Sequence, residues 1–269
     1  MKAGEIKEIL RELGTRPSRR WGQHFLLHEE VAQGIVALAD IHPGESVLEV
    51  GPGLGILTEP LLRQTEKVVA VEKDPHLAAF LRDRFPGLEL VVGDVLRVPL
   101  PPFEKVVSNL PFEISSPFLE RLLDATFQRA VLTLQREFAE RLVGGPGTKA
   151  YSRLSVKVHY RAEARIRQTI PPSAFWPSPE VEAAVVQMDG RPPPFPVERD
   201  PYFRVVDALF LHRRKMALNA LRLAGPALGL GEKALEEAMA GSPLATKRAD
   251  EMRPEEMAAL TRRLFPSKA

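Results

Sequence analysis

Between residues 46 and 134 the chain repeats one pattern, a short β-branched run followed by a stretch of helical periodicity. The runs are SVLEV (46–50), KVVAVE (67–72), LELVV (88–92), KVVS (105–108) and RAVLTL (129–134), with ILTEPLLRQ, PHLAAFLRDR and SSPFLERLLD among the stretches between them. Strands joined through helices lie parallel, and such crossovers are right-handed. The alternation therefore predicts an α/β fold with a doubly wound, mainly parallel sheet. Upstream, Ile6, Ile9, Leu10 and Leu13 recur at helical spacing before Gly14, which predicts an amphipathic helix with a glycine stop, and a second helix is expected over about 29–39. Downstream, EARIRQTI and VEAAVVQM flank the proline-rich PPSAFWPSPE and are expected to add a hairpin-like pair to the sheet. GRPPPFP then breaks the pattern, and the rest, including RVVDALFLHRRKMALNALRLAG, reads as helix alone. The expected domains are 1–190, of which 1–28 are the helix and the basic loop TRPSRRWGQHFL, and a smaller all-helical 191–269.

The chain has no cysteine, which excludes disulfides and thiolate metal sites. Its opening MKAGEIKEIL does not read as a signal peptide, and no apolar run approaches the roughly 20 residues that span a bilayer. A soluble, cytoplasmic protein with no membrane partner is expected. From Arg191 onward 14 Lys and Arg face 10 Asp and Glu, a net +4 that leaves the first 190 residues at −2, so the tail favours an anionic partner. Arg outnumbers Lys 26 to 11 and asparagine occurs twice, a balance that fits a heat-adapted or GC-rich source.

The first candidate site is VLEVGPGLGILTEPLL, where a strand runs into Gly51, Gly53 and Gly55 and then into a helix. Such a loop lets backbone approach a ligand closely and presents helix N-terminal amides. By itself it serves a dinucleotide as well as any other nucleoside, or no ligand at all. Glu72 ends the next strand 21 residues beyond Gly51, where an open α/β sheet offers an acidic acceptor to ribose hydroxyls. Asp94, in VVGDVL, closes the third strand, where its carboxylate suits an adenine amino group. The fourth strand runs into Asn109-Leu110-Pro111-Phe112 at the same carboxyl edge.

That tetrapeptide has a specific use. An amino group on an aromatic ring is a poor nucleophile because its lone pair is delocalised. The Asn109 amide oxygen and the Leu110 carbonyl can accept its two N–H groups, and Phe112 offers a flat face for an unstacked base. The plainer reading makes Asn109 a cap or turn residue and Phe112 core; four ordered strand ends favour the chemical one.

GQHFL, EVGPGLG, VEKD, GDVL, NLPFEISSP, LQREFAERLVGGPGTKAYSRLSV and PPSAFWPSPEVEAAVV stand in the order found in the ribosomal RNA adenine dimethylases, which the chain resembles over about residues 15–190. GPGTKAYSRLSV resembles the small-subunit type more than the large-subunit resistance methylases. The resemblance implies S-adenosylmethionine as cofactor and dimethylation of two adjacent adenosines near the 3′ end of small-subunit rRNA, within an immature 30S particle, by a monomer. It further implies that His24 to Leu26 cover the cofactor and that Gly51 and Gly53 form its main loop. Glu72 would take the ribose hydroxyls and Asp94 the adenine amino group, Lys73 and Val95 would also bind the cofactor, and Asn109 would sit near the methyl donor. Phe112 and Phe175 would sandwich the flipped adenine. The family's commoner residues are Asn at 24 and Tyr at 112; here His24 keeps hydrogen-bonding capacity and Phe112 keeps only the stacking face.

Two basic clusters, Arg16, Arg19 and Arg20, and Arg213, Arg214 and Lys215, are candidates for RNA phosphates or plain solvated surface. His24 and His28 lack a third metal ligand, and no metal site is expected. Three other readings stand beside the main one: a DNA or protein methyltransferase, disfavoured by Leu110; a non-catalytic rRNA-binding assembly factor; and a methyltransferase of large-subunit rRNA. A nicotinamide dehydrogenase would leave NLPF without a purpose.

Overall fold

The computed structural model describes residues 1–18 and 21–266. Helix α1 (Ala3–Glu12) buries Ile6 and Leu10, and Gly14 beyond it has φ 65°. Strand β1 (Phe25–Leu26) leads into α2 (Glu29–Leu38), for which His28 is the N-cap. Strands β2 (Val47–Val50), β3 (Val68–Glu72), β4 (Glu89–Val92), β5 (Lys105–Asn109) and β6 (Arg129–Gln135) follow, with helices α3 (Thr58–Leu62), α4 (Pro75–Arg84) and α5 (Ser115–Asp124) among them and α6 (Arg136–Val143) directly after β6.

The seven-stranded sheet has the order β4-β3-β2-β5-β6-β9-β7, with β7 (Ala162–Ile170) and β9 (Ala183–Gly190) neighbours at its far edge. The expected pair is thus present. β2, β3, β4, β5 and β6 run parallel and β9 lies antiparallel to β6, so the fold is the doubly wound, mainly parallel sheet that the alternation predicts. β2 is buried throughout, because a parallel strand covered on both faces has no solvent side. Chain order reverses between β2 and β5, and the crevice at such a reversal is where open α/β sheets bind ligands. Two small strands, β1 and β8 (Phe175–Trp176), pair antiparallel outside the main sheet. This pairing has no periodic signal in two-residue segments 150 residues apart, and the sequence reading lacks it.

Local chemistry sets the elements beside the crevice. Asp74 caps α4, its side chain accepting from the His76 N–H at 2.9 Å, and Pro75 fills the first helical position, where a missing N–H is harmless. α5 buries Phe118, Leu119, Leu122 and Leu123, each side chain contributing about 1.5–3 kcal/mol relative to exposure.

Contacts divide the chain into residues 1–139 with 164–190, and 140–163 with 191–269. Residue 190 is a division point in this arrangement, and residues 140–163 group by contact with the tail. Tyr151, Val156 and Tyr160, the last two on α7 (Arg153–Arg161), share one apolar cluster with Tyr202, Val205 and Leu221. Those aromatic residues look like any other core-formers until the tail is folded. In the tail, RVVDALFLHRRKMALNALRLAG divides into α8 (Arg199–Leu211) and α9 (Ala217–Leu228), which places Arg213, Arg214 and Lys215 in the intervening turn.

Candidate active site

The cleft lies at the carboxyl ends of β2, β3, β4 and β5 and spans roughly 1110 Å³, the open solvent at its mouth included. Gly51, Gly53 and Gly55 take φ values of 64°, 61° and 85°, a left-handed run that side chains rarely adopt. A Cβ on Gly53 would press on the Phe25 ring at 3.2 Å, so the loop is narrow where it meets the cleft wall. At Gly55 a Cβ would stand 2.3 Å from the Phe85 ring. Gly55→Ala is accordingly expected to lower stability by about 2 kcal/mol, read as a lower urea midpoint at unchanged slope.

Glu72 is 4% exposed; its carboxylate accepts from the Gly53 N–H at 3.1 Å and the Asp74 N–H at 2.9 Å. A carboxylate has about four lone-pair sites, so both oxygens can still accept from a ligand. Burial raises the Glu72 pKa against the lowering of these amide bonds. Asp94 lies two residues past the end of β4. Its Oδ2 accepts from Lys73 Nζ at 2.9 Å and its Oδ1 from the Leu96 N–H at 3.0 Å, and the lysine contact leads in lowering its pKa. Val95, in the same wall, is held by a hydrogen bond from Arg121 of α5 to its carbonyl.

Asn109 ends β5. Its Nδ2 donates to the His24 carbonyl at 2.9 Å. Since a carbonyl can only accept, the amide has one permitted orientation, and Oδ1 is left as its open acceptor. Leu110, Pro111 and Phe112 continue around the cleft wall, and Phe112 is half-buried, with its ring 5.6 Å from that of His24.

His24, Leu26, Gly51, Gly53, Glu72, Lys73, Asp94, Val95, Asn109, Leu110 and Phe112 all line this one cleft. Phe175 does not. It stands opposite Leu26 in the β1–β8 pair and is 2% exposed, in the same core cluster as Leu26. Arg16 lines a neighbouring groove with Trp21 and Asp74, while Arg19 and Arg20 lie outside the described residues. In the helical unit Arg213 pairs with Asp250 at 3.5 Å, and Arg214 and Lys215 are exposed.

Trp21 and Glu49 are among the lining residues that the sequence reading lacks. Trp21, whose ring lies 5.8 Å from Lys73 Nζ, gives no signal before the loop is folded. Glu49 gives a legible one, a carboxylate inside a wholly buried strand. It is 1% exposed and accepts from Thr58 Oγ1 at 2.7 Å, and burial, opposed by that bond and aided by the charge of Glu72, pushes its pKa up to about 8.

The ribosomal RNA adenine dimethylase family model matches residues 15–247. A protein of Methanothermobacter thermautotrophicus described as a probable ribosomal RNA small subunit methyltransferase A is 43% identical, over 94% of this chain and 93% of its own. One of the same description from Methanosarcina mazei is 40% identical over 98% of both. Among solved structures, a dimethyladenosine transferase from Plasmodium falciparum aligns with TM-score 0.77 at 25% identity, over 88% of this chain and 96% of its own. The 23S rRNA methyltransferase ErmE aligns with TM-score 0.67 at 29% identity, over 89% and 99%. With the match running through both units and relatives about 40% identical over nearly the whole chain, the chain belongs to the ribosomal RNA adenine dimethylase family.

Proposed function

We propose that this enzyme transfers methyl groups from S-adenosylmethionine to the exocyclic amino groups of two adjacent adenosines near the 3′ end of small-subunit rRNA, two to each. The observation that carries the reading is the amide of Asn109, fixed by its bond to His24 with Oδ1 open, at the rim of the glycine-floored cleft. The small-subunit choice follows the relatives at about 40% identity, against 29% for the large-subunit enzyme.

The residues fit the cofactor. The glycine loop gives it room, Glu72 has lone pairs for two ribose hydroxyls, and Asp94 can accept from an adenine amino group. When bound, S-adenosylmethionine supplies a methyl group on a sulfonium, a good leaving group. The protein supplies orientation and electrostatics. Asn109 Oδ1 accepts one N–H of the target amine and the Leu110 carbonyl accepts the other. Together they favour the pyramidal nitrogen, whose lone pair is available, over the planar conjugated one. No strong base is required, because an amine that has gained a methyl is cationic and releases its proton readily.

Phe112 is the stacking face. Phe112→Ala is expected to lower kcat/KM by about ten- to a hundredfold and Phe112→Tyr by no more than a few-fold; equal losses would remove stacking from the account. Arg16, Arg19, Arg20, Arg213, Arg214 and Lys215 are the proposed phosphate contacts, the substrate is an immature 30S particle, and the enzyme acts as a cytoplasmic monomer.

Mass spectrometry of rRNA from cells with and without the protein tests the reading. Dimethyladenosine at two adjacent small-subunit positions, lost with the protein, supports it. Loss from large-subunit rRNA would reassign the substrate, and unchanged rRNA from cells in which the protein still binds subunits would make it an assembly factor.

A further inference from the structure

Thr133 of β6 is 0% exposed, and its hydroxyl has no hydrogen-bond partner among the described residues. A buried hydroxyl without a partner lowers stability, and valine, of nearly the same shape, would fill the place without that cost. The neighbours of Thr133 narrow its use. It is the register partner of Asn109 in the β5–β6 ladder, so the two side chains project from one face of the sheet. On its other side stands Val185 of β9, and Val107, Val131 and Val185 belong to one apolar cluster on that face. Gln135, two residues on, is exposed at the strand end, and Gln187 of β9 gives its amide N–H groups to Asp189. Within the sheet, the polar group left for Thr133 is the carboxamide of Asn109. That carboxamide has a matching deficit: Nδ2 carries two N–H groups, of which one donates to the His24 carbonyl at 2.9 Å, and no second acceptor meets it among the described residues.

We propose that Thr133 is a positioning residue for methyl transfer, whose Oγ1 accepts the second Nδ2 N–H of Asn109 when the target amine engages Oδ1. The inference rests on the reading of Asn109 as the acceptor of that amine. Adjacent strands run about 4.8 Å apart, so a change of rotamer brings the two side chains together. Donating both N–H groups shifts electron density through the conjugated amide toward Oδ1, which makes that oxygen a stronger acceptor. The gain is largest in the transition state, where the amine nitrogen becomes cationic. Two bonds from Nδ2 also fix the plane of the amide. Thr133 lies outside the residues that line the cleft and acts through Asn109.

The test uses small subunits from cells that lack the protein and compares methyl transfer by the full chain with Thr133→Val, Thr133→Ser, Asn109→Ala and the double variant Thr133→Val with Asn109→Ala. Valine keeps the volume and lacks the hydroxyl; serine keeps the hydroxyl. The expected result for Thr133→Val is a loss of about five- to tenfold in kcat, with KM for the subunit within about twofold of wild type. Its urea midpoint is expected at or above that of wild type, because an unpartnered buried hydroxyl has been removed. Thr133→Ser is expected to stay within about twofold of wild-type kcat. In the Asn109→Ala background, followed in single turnover, the valine substitution is expected to cost nothing further, since the group it acts through is gone. Full kcat in Thr133→Val, an equal loss in Thr133→Ser, or the same loss in the Asn109→Ala background would overturn the proposal. So would a loss in Thr133→Val that comes with a lowered urea midpoint, which would make the hydroxyl structural. A wild-type chain that methylates no subunit, or near-normal turnover in Asn109→Ala, would instead overturn the functional reading and the inference with it.

Discussion

Asn109→Ala is expected to lower kcat by about 10²- to 10³-fold, the range for loss of one preorganised polar group at a reacting centre, while S-adenosylhomocysteine still binds to the purified variant. The two readouts separate because the glycine loop, Glu72 and Asp94 hold their positions through bonds that do not pass through Asn109. Asn109→Asp is the sharper variant. It preserves shape, yet it sets an oxygen against the His24 carbonyl where Nδ2 now donates at 2.9 Å. Two facing acceptors repel, so the side chain turns or the 21–26 segment shifts, and the aspartate variant is expected to fall as far as alanine. Near-normal turnover in either variant, measured with labelled methyl groups on unmethylated small subunits, would remove the carboxamide from the mechanism.

The difference between Asn109 and Phe175 shows what a sequence can and cannot display. Gly51, Glu72, Asp94 and Asn109 are legible because each lies at or just past a strand end, and parallel strands bring their carboxyl ends to one edge whatever the details of packing. Phe175 depends on an antiparallel pair of two residues each, Leu26 opposite Phe175, and on the core cluster that both join. No local periodicity encodes a contact of that kind. The same holds for residues 140–163: Tyr151 and Tyr160 carry no mark that assigns them to the helical tail, and only the buried cluster with Tyr202 does so. His24 is intermediate. Its place in the lead-in to the cleft is legible in the motif, whereas its contact with Phe112 needs the chain to close on itself.

Glu49 gives the other large effect, on stability. The unfolded carboxyl ionises near its ordinary 4.5 and the folded one near 8, because the side chain is fully enclosed in β2. Between those values the folded state holds one proton more, so its stability falls as pH rises, by on the order of 4–5 kcal/mol across the window, and changes no further above it. Glu49→Gln can still accept from Thr58 and has nothing to titrate. Urea denaturation is expected to give a flatter stability profile from pH 5 to 8 for the variant and greater stability than wild type at pH 8; parallel profiles would show that Glu49 does not ionise as placed. The same carboxyl then bears on ligand binding. Glu72, in the same cleft, also has a raised pKa, and a cationic ligand favours the ionised form of both. Affinity for S-adenosylmethionine is therefore expected to strengthen between pH 6 and 8 with release of protons, and that for S-adenosylhomocysteine, which lacks the sulfonium charge, to vary less. Calorimetry in buffers of different ionisation enthalpy counts those protons. A Glu49→Gln variant that released as many as wild type would place the titration elsewhere in the cleft, on Glu72.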